Sequence, residues 1–469
     1  MKKKKQIDCF LPYSTAAMMQ SLAAQLHESG VVKSIYTLSA DVLPTEALPQ
    51  YTHHLQAGSL LSLATMRLIA TTATADYALL YLKQGPITLG YHALERMLQV
   101  AEETGAAMVY ADHYSVEAGK TVKHPVTAYQ LGSIRDDFDF GSVVLLKTEY
   151  LKEYAAREVA KDYQFAGWYD LRLFLSREGK LFHLNEYLYT EEEDDLRASG
   201  EKQFDYVNPR NREVQIEMEQ AATAHLSAIK ALVDTTQYVQ PDFSGEAFPV
   251  EASVVIPVFN REKTVRDAVV SALSQKTNFP FNVIVVDNHS TDGTTKILSS
   301  LAADERLVHL IPTRTDLGIG GCWNYAINDA HCGRFAVQLD SDDLYSSENT
   351  LQAIVNAFHE QKAAMIVGSY RMCDFELNTL PPGLISHNEW TEDNGCNNAL
   401  RINGLGAPRA FFTPLVRQHQ FPNTSYGEDY AMGLAFSRRF RIGRIYDELY
   451  LCRRWGGNSD AVLSIDKVN

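Results

Sequence analysis

The sequence predicts an α/β protein built from two tandem domains of one fold, joined by a helical linker. Three observations support this prediction. Short apolar, β-branched runs alternate with amphipathic helical patterns through most of the 469 residues, which is typical of a largely parallel sheet flanked by helices. Polar, Asp-rich segments directly follow two of the predicted strands. Finally, the apolar pattern of the first 190 residues recurs after residue 250.

The second half of the chain contains the clearest strand and helix patterns. Residues 252–259 form a short apolar run typical of a buried strand, and a helical pattern with one apolar face follows it. Two further strand patterns, 282–286 and 335–339, end in Asp-rich segments. Ligands of such sheets bind beyond the carboxyl ends of the strands, so we expect a binding site at these two segments.

The first half repeats these patterns in the same order. At an offset of 257, the apolar helix positions of residues 94–101 align with those of 351–358, and residues 106–109 align with 363–366. Chance alignment of periodic helices is the alternative. Ordered matches at several places favour a duplicated domain.

The predicted domains are residues 1–190 and 251–469. Residues 191–250 form an acidic and helical linker between them. This linker opens with five acidic residues, continues with one amphipathic helix over 212–233, and ends with the turn-forming residues 240–245.

Composition and charge argue against several classes of function. The chain has 43 basic and 58 acidic residues, a formal net charge of −15, which disfavours nucleic acid or an anionic membrane surface as the main partner. We find no apolar run that predicts a transmembrane helix, and the opening lysines precede no signal-peptide pattern. The six cysteines form no CxxC pair, so we expect a reduced, cytoplasmic protein with free thiols.

Three segments at predicted strand ends carry the chemistry. Asp340-Ser341-Asp342-Asp343 offers the hard oxygen ligands that Mg²⁺ or Mn²⁺ prefers, although helix capping would also explain clustered carboxylates. Asp287-Asn288-His289-Ser290 could hydrogen-bond a nucleobase or ribose, and a simple turn is the alternative. Pro257-Val258-Phe259-Asn260 would form a wall of the same pocket.

Together these segments resemble the family 2 glycosyltransferases of the GT-A fold, over about residues 251–469. The motifs that carry the resemblance, in the family's order, are residues 253–261, residues 286–294, residues 339–343, Gly427-Glu428-Asp429, and residues 449–455 with Asn458-Ser459. Five such motifs in one order are highly specific, whereas each alone is weak.

The resemblance implies an inverting transfer of a sugar from a nucleoside diphosphate to a hydroxyl acceptor, with Mg²⁺ or Mn²⁺ as cofactor and UDP or dTDP sugars favoured as donors. By position, Asp429 would be the general base, with Glu428 beside it. Asp340, Asp342 and Asp343 would bind the cation, with the last two nearest to it. The residues implied at the nucleotide sugar are Pro257, Val258, Phe259, Asn260, Glu262, Asp287, Asn288, Ser290, Asp340, Ser341 and Asp342. Those implied on the acceptor side are Tyr426, Arg454 and Trp455.

The chain departs from the family pattern at several positions. Asn288 stands where many members have Asp, although Asn can still accept a hydrogen bond from N3–H of uracil or thymine. Gly321-Cys322-Trp323-Asn324 lacks the basic residue that often precedes the Asn. Leu451 stands where processive synthases have Gln, and Trp455 where related non-processive enzymes often have His. Processive enzymes also carry membrane helices, so we expect transfer of one sugar rather than polymer extrusion.

The repeat alignment predicts that the first domain lacks this chemistry. Lys83, Gly85 and Pro86 stand opposite the three aspartates of the second copy, and Gly167 and Trp168 stand opposite its Glu-Asp pair. We therefore expect a degenerate, catalytically inactive copy that supports or positions the active domain. Lys83 could offer its charge to a phosphate, although a surface lysine is the commoner explanation.

Alternative functions are a non-catalytic nucleotide-sugar-binding or scaffold protein, a tandem polymerase with two intact sites, and a sugar-phosphate nucleotidyltransferase. The last requires a Gly-rich loop after its first strand, where this chain has no glycine between residues 259 and 263. The favoured interpretation is assembly of a cell-surface polysaccharide or cell-wall glycan on a glycan or lipid-linked acceptor. It leaves open peripheral contact with the inner face of the membrane, and a homo-oligomer.

Overall fold

The computed structural model describes residues 6–43, 48–49, 51–117, 119–158, 161–192, 212–388, 390–392 and 394–455. The opening lysine run, Glu193-Asp194-Asp195 of the predicted linker and Asn458-Ser459 of the last motif lie outside these residues. The described chain forms two compact units. The first contains the described residues through Glu192 together with 213–231, and the second contains Arg212 and the described residues from Leu232 onward.

The first unit alternates strands and helices. Its strands are β1 (Ile7–Pro12), β2 (Val32–Ser39), β3 (Thr52–Gln56), β4 (Tyr77–Tyr81), β5 (Ile87–Leu89), β6 (Met108–Glu117), β7 (Lys120–His124), β8 (Val143–Lys147) and β9 (Leu181–Glu192). Its helices are α1 (Ala16–Glu28), α2 (Leu63–Thr72), α3 (Ala93–Thr104), α4 (Thr148–Ala156), α5 (Gly167–Glu178) and α6 (Arg212–Ala228).

The second unit contains the three strands predicted from its apolar runs. Its strands are β10 (Ala252–Val258), β11 (Phe281–Asp287), β12 (Leu307–Leu310), β13 (Phe335–Gln338), β14 (Leu344–Tyr345), β15 (Met365–Cys373), β16 (Thr379–Ile385), β17 (Arg409–Phe412) and β18 (Ile442–Arg453). Its helices are α7 (Val265–Leu273), α8 (Thr294–Leu301), α9 (Ile319–Asn328), α10 (Thr350–Gln361), α11 (Gly395–Asn398), α12 (Thr413–His419) and α13 (Glu428–Ser437).

The two sheets have one topology. The first has the order β3-β2-β1-β4-β8-β6-β9-β5, and the second β12-β11-β10-β13-β17-β15-β18-β14, with β7 and β16 as matching side strands. The pairing directions also agree, including a register shift between β6 and β9 that recurs between β15 and β18. The predicted tandem repeat of one α/β fold is therefore confirmed at the level of strand order.

Both sheets are mixed rather than largely parallel. The strands β12, β11, β10 and β13 run parallel, whereas β17 pairs antiparallel with β13 and with β15. A short apolar run does not reveal its direction in the sheet, so the sequence pattern gave no sign of the reversed strand.

Helices cover both faces of the second sheet. Along β10, Val254 and Ile256 pack in one apolar cluster with α7 and α10, and Val255 packs in another with α9 and α13. This follows from the strand geometry, because successive side chains point to opposite faces. It explains why β10 is an almost continuous apolar run and leaves only the loops beyond the strand ends for polar chemistry.

Helix α6, which the sequence predicts in the linker, packs with the first unit. The Glu217 carboxylate accepts backbone N–H bonds from Gln164 (3.0 Å), Phe165 (2.7 Å) and Ala166 (3.1 Å), directly before α5. A carboxylate at this position satisfies N–H groups that a helix start leaves unpaired and interacts favourably with the helix dipole. Helix α6 ends at Ala228, a turn earlier than its apolar pattern predicts.

The cysteines and the lengths of the helices bear on two further predictions. The six cysteines are free, and all except the half-buried Cys452 are buried. Burial raises the pKa of both Cys322 and Cys332 to about 11, which makes these thiols poor nucleophiles. Within the described ranges, no helix is both long and apolar enough to cross a membrane.

Candidate functional site

The loops after β10 and β11 are tied together by side-chain hydrogen bonds. The Asn260 N–H donates to Ser290 Oγ (3.0 Å), and Asn260 Oδ1 accepts from the Thr291 N–H (2.8 Å). Glu262 Oε2 accepts from the Gly293 N–H (3.0 Å). Asn260 has φ +52°, a left-handed conformation that Asn tolerates better than most residues. Three predicted nucleotide-sugar residues, Asn260, Glu262 and Ser290, therefore shape the loop pair itself.

Asp287 stabilises the turn that ends β11. Its Oδ1 accepts from the Ser290 N–H (3.0 Å), and its Oδ2 accepts from Thr295 Oγ1 (2.5 Å) and lies 3.4 Å from His309 Nε2. Burial opposes ionisation, but these hydrogen bonds lower the pKa of Asp287. Both of its oxygens are thus engaged within the protein.

Asn288 presents a different arrangement. Its backbone N–H donates to the Val258 carbonyl (2.9 Å) and its side-chain Nδ2 donates to the Leu317 carbonyl (2.9 Å). Its Oδ1 is buried and accepts no hydrogen bond from the described residues. An unpaired buried acceptor costs about 1–3 kcal/mol, so a ligand N–H at this oxygen would be stabilising. Phe259 directly follows β10 and is 53% exposed.

The acidic segment after β13 is half-buried or buried throughout. The Asp340 N–H donates to Tyr450 Oη (2.9 Å), and Asp340 Oδ1 accepts from Gln338 Nε2 (2.9 Å). Burial raises the pKa of Asp340, and Gln338 and Arg409 oppose that rise. Ser341, at 7% exposure, is also covered.

Asp342 and Asp343 have different environments. Asp342 Oδ2 accepts from Trp455 Nε1 (3.1 Å) and lies 3.9 Å from Arg261 Nε. Asp343 Oδ1 accepts from the Arg453 backbone N–H (2.7 Å). Burial and the neighbouring aspartates raise the pKa of Asp343 well above its usual value, which favours its neutral form. Asp343 therefore has the surroundings of a residue that ties β18 to the acidic loop.

The oxygen donors of this segment fit a divalent cation that also binds a diphosphate. Among the described residues, no three His, Cys, Asp or Glu side chains converge as a complete metal site. Mg²⁺ is usually held by one or two carboxylates together with substrate phosphates and water, so a full protein cage is not required. Asp340 and Asp342 supply such a pair.

A second acidic pair begins helix α13. Asp429 Oδ1 accepts from the Tyr430 N–H (2.7 Å), and Asp429 Oδ2 forms an ion pair with Arg409. The Asp429 side chain is 30% exposed, whereas the Arg409 side chain is only 12% exposed. Asp429 thus combines a fixed orientation with access from outside.

Glu428 is buried, at 8% exposure, and its Oε2 accepts no hydrogen bond within the described chain. Burial and the adjacent Asp429 raise the pKa of Glu428 from 4.5 to about 7. A carboxyl group with this pKa can hold or release a proton near neutral pH.

Glycines at the start of α9 place this acidic pair. A Cβ on Gly320 would lie 1.9 Å from the Pro422 carbonyl oxygen, and one on Gly321 would lie 2.2 Å from Asn423 Oδ1. Only glycine permits this approach of α9 to the loop that leads into α13. At the position before Asn324, where the family often has a basic residue, Trp323 is buried and packs against Phe411 and Phe421.

The three residues predicted on the acceptor side have different surroundings. Trp455 bonds to Asp342, and Phe375, which lies after β15, packs edge-on against it with ring centroids 5.7 Å apart. The Arg454 N–H donates to the Cys373 carbonyl (2.8 Å), and Tyr426 is 51% exposed.

Sequence reasoning missed the cations of this site. In the sequence, Arg409 belongs to none of the five motifs, and Arg453 lies in the last one without an assigned role. The Arg453 side chain donates from Nε to the Asp342 carbonyl (2.6 Å) and from Nη1 to Asp267 Oδ2 (3.0 Å). The sequence did contain one indirect signal. Several carboxylates predicted at one end of the sheet require positively charged side chains nearby, and arginines supply them here.

The first unit has a self-neutralising group at the equivalent place. Lys83, just after β4, forms an ion pair with Glu191 of β9, and Ser142 donates a hydrogen bond to the same carboxylate. Glu191 is 4% exposed, and its hydrogen bonds from His113 and Lys83 and the Lys83 charge lower its pKa to about 2 despite burial. The Lys83 side chain is 44% exposed, so it lies at the surface as expected, and its charge is paired with a buried carboxylate.

The segments that follow β10, β11 and β13 lie within a part of the chain that matches a known family. Residues 253–414 match the family model described as Glycosyl transferase family 2. A protein of Haemophilus influenzae named an uncharacterized glycosyltransferase is 28% identical over 128 residues, which are 27% of this chain and 50% of that protein. TuaG of Bacillus subtilis, named for teichuronic acid biosynthesis as a glycosyltransferase, is 26% identical over 188 residues, 40% of this chain and 72% of TuaG.

Among solved structures, S. aureus TarS 1-349 in complex with UDP-GlcNAc is 22% identical, covering 46% of this chain and 61% of that chain with a TM-score of 0.38. The present chain spans between 29% and 50% of the length of the first three curated relatives it matches.

Proposed function

We propose that this protein transfers one sugar from a nucleoside-diphosphate sugar to a hydroxyl acceptor with inversion, because residues 253–414 match the family 2 glycosyltransferase model. One observation supports this most directly. Within one unit, carboxylates follow strand β13, and a partly exposed carboxylate, Asp429, begins α13 in an ion pair with Arg409. Inverting displacement needs a group that stabilises the leaving diphosphate and a separate base for the acceptor.

The donor would lie against the ends of β10, β11 and β13. Asn288 Oδ1, buried and without a partner in the described chain, suits an N–H of the base. We propose UDP or dTDP sugars, because N3–H of uracil or thymine could donate to this oxygen. Phe259 would border the base, and Asp340 would face the ribose.

Asp340 and Asp342 would hold Mg²⁺ or Mn²⁺, whereas Asp343 would act mainly through its bond to Arg453. When bound, such a cation supplies charge that stabilises the leaving diphosphate. The acceptor hydroxyl would donate its proton to Asp429 as its oxygen attacks C1 of the sugar, a role typically worth about 10²–10⁴-fold in rate.

We propose a saccharide acceptor in the assembly of a cell-wall or cell-surface glycan. The name of TuaG, which refers to teichuronic acid biosynthesis, supports this assignment. Trp455 and Phe375 supply aromatic faces beside Asp342, which suits the apolar face of a sugar ring. Tyr426 and Arg454 would border the same acceptor. The first unit would be non-catalytic, because Lys83 and Glu191 neutralise each other where the second unit has its acidic segment.

The test is a screen of nucleotide sugars against the full chain, with and without Mn²⁺, followed by calorimetry with the corresponding diphosphate. We expect metal-dependent binding of one donor class, lost in Asp342→Ala and retained in Asp429→Asn. Asp304→Ala is the matched control, because it removes a half-buried carboxylate that is paired with Arg306 in the same unit. Donor binding that is equal in wild type and Asp342→Ala would contradict the assignment.

A further inference from the structure

Arg409 stands where the two acidic groups of the site meet. It is the first residue of β17, whose pairing with β13 sets Ala410 opposite Val337. The Arg409 N–H donates to Gln338 Oε1 (3.1 Å), and the same Gln338 side chain donates to Asp340 (2.9 Å). The start of β17 is thereby attached to the strand end that carries the acidic segment.

The guanidinium of Arg409 is fixed on two sides. Nη1 donates to the Leu405 carbonyl (3.1 Å), and Nη2 pairs with Asp429 Oδ2. Burial alone would lower the pKa of Arg409, but the negative charges of Asp429, Asp340 and Glu428 outweigh it and raise the pKa. Arg409 therefore stays a cation among these three carboxylates. Arginine suits this place because its planar group keeps its charge and binds in a fixed geometry.

The contact determines how Asp429 is oriented. Asp429 Oδ1 is directed at the Tyr430 N–H, and Oδ2 at Arg409, so rotation of the carboxylate is restricted from both sides. A general base must lie within hydrogen-bond distance of the acceptor hydroxyl. The reaction is therefore slower when the carboxylate can rotate freely away from that geometry.

We propose that Arg409 is a positioning residue of the transfer reaction, which acts by orienting the Asp429 carboxylate toward the acceptor. This inference rests on the proposed function. A role confined to joining β17 to α13 would stabilise the fold without affecting the chemical step, and the two roles make different predictions.

The test is a double-mutant cycle on the full chain with Arg409→Met, Asp429→Asn and the double variant. We expect Arg409→Met to lower kcat by about 10–100-fold with the donor dissociation constant unchanged. On the Asp429→Asn background it should cause no further loss, because residues that act as a unit are not additive. Arg409→Lys should restore part of the rate.

Arg417→Met is the matched control. Arg417 donates from Nε to the Ile327 carbonyl (2.6 Å) in the same unit and is outside the proposed site, so kcat should stay at the wild-type value. If Arg409→Met does not fold, as judged by circular dichroism, the comparison of Arg409→Lys with Arg409→Gln serves in its place, with Lys expected to be the faster.

The outcomes distinguish failure of the positioning role from failure of the proposed function. Wild-type transfer with an unchanged kcat in Arg409→Met, or fully additive losses in the cycle, would overturn the positioning role and leave the proposed function intact. Absence of transfer by the wild type with every donor class would overturn the proposed function, and the inference with it.

Discussion

Glu428 offers the sharpest physical test of the site, because its environment predicts a stability change that depends on pH. Its side chain is 8% exposed, and Oε2 has no hydrogen-bond partner in the described chain. Burial first, and repulsion from Asp429 second, raise its pKa from 4.5 to about 7. Glu428→Gln keeps the size and removes the ionisation.

The sign follows from proton linkage. A carboxyl whose pKa is higher in the folded than in the unfolded state binds its proton more tightly when folded. Its contribution to stability is fully present below pH 4.5 and is lost as the pH rises to about 7. At 1.36 kcal/mol per pH unit, the loss in the wild type is on the order of 3 kcal/mol. Glu428→Gln should not show this loss.

The assay is calorimetric unfolding of the full chain at pH 5 and pH 8. Glu428→Gln should be near the wild type at pH 5 and clearly more stable at pH 8. Glu305→Gln, which changes an exposed glutamate of the same unit, should follow the wild type at both values. If Glu428→Gln also follows the wild type at pH 8, the carboxyl is not in a desolvating environment and the reasoning fails.

Three further outcomes are expected. Asp429→Asn should lower turnover at least about 10²-fold in steady-state kinetics, while the donor affinity measured by calorimetry stays nearly constant. If Asp429→Asn keeps near-normal turnover and Glu428→Gln loses it, the base is Glu428 instead. Asp342→Ala should abolish metal-dependent diphosphate binding, and unchanged calorimetric titrations would remove it from the cation site. Lys83→Ala should leave turnover unchanged but lower the unfolding free energy by about 1–3 kcal/mol, because Glu191 remains buried with a lost partner; a large loss of turnover would mean that the first unit still handles a phosphate.

Strand positions and the loops that follow them could be predicted from the sequence because both depend on local pattern. β10, β11 and β13 are short apolar runs, and the polar segments after them fall at their carboxyl ends as expected. The direction of β17 could not be predicted, because a strand of one arginine and three apolar residues gives no sign of its direction in the sheet.

The orientation of individual side chains in the loops was also beyond the sequence. Asp287 and Asp343 both follow a predicted strand, and the sequence does not distinguish their roles. In the fold, Asp287 accepts hydrogen bonds from Ser290 and Thr295, whereas Asp343 accepts one from Arg453. Arg409 illustrates the same limit, since nothing local marks an arginine that meets a carboxylate 20 positions along the chain.

The contrast between the two units shows why one of them has the properties of a ligand site. In the first, Lys83 and His113 surround Glu191, so the charges at the end of β4 are balanced within the protein. In the second, burial and mutual repulsion raise the pKa values of Asp340, Asp343 and Glu428 together. Identical strand order in both sheets means that packing alone does not require this charge excess. Carboxylates held close at a cost in stability are expected where a bound cation and a reacting proton compensate for them, so the electrostatic cost itself favours the second unit as the place of chemistry.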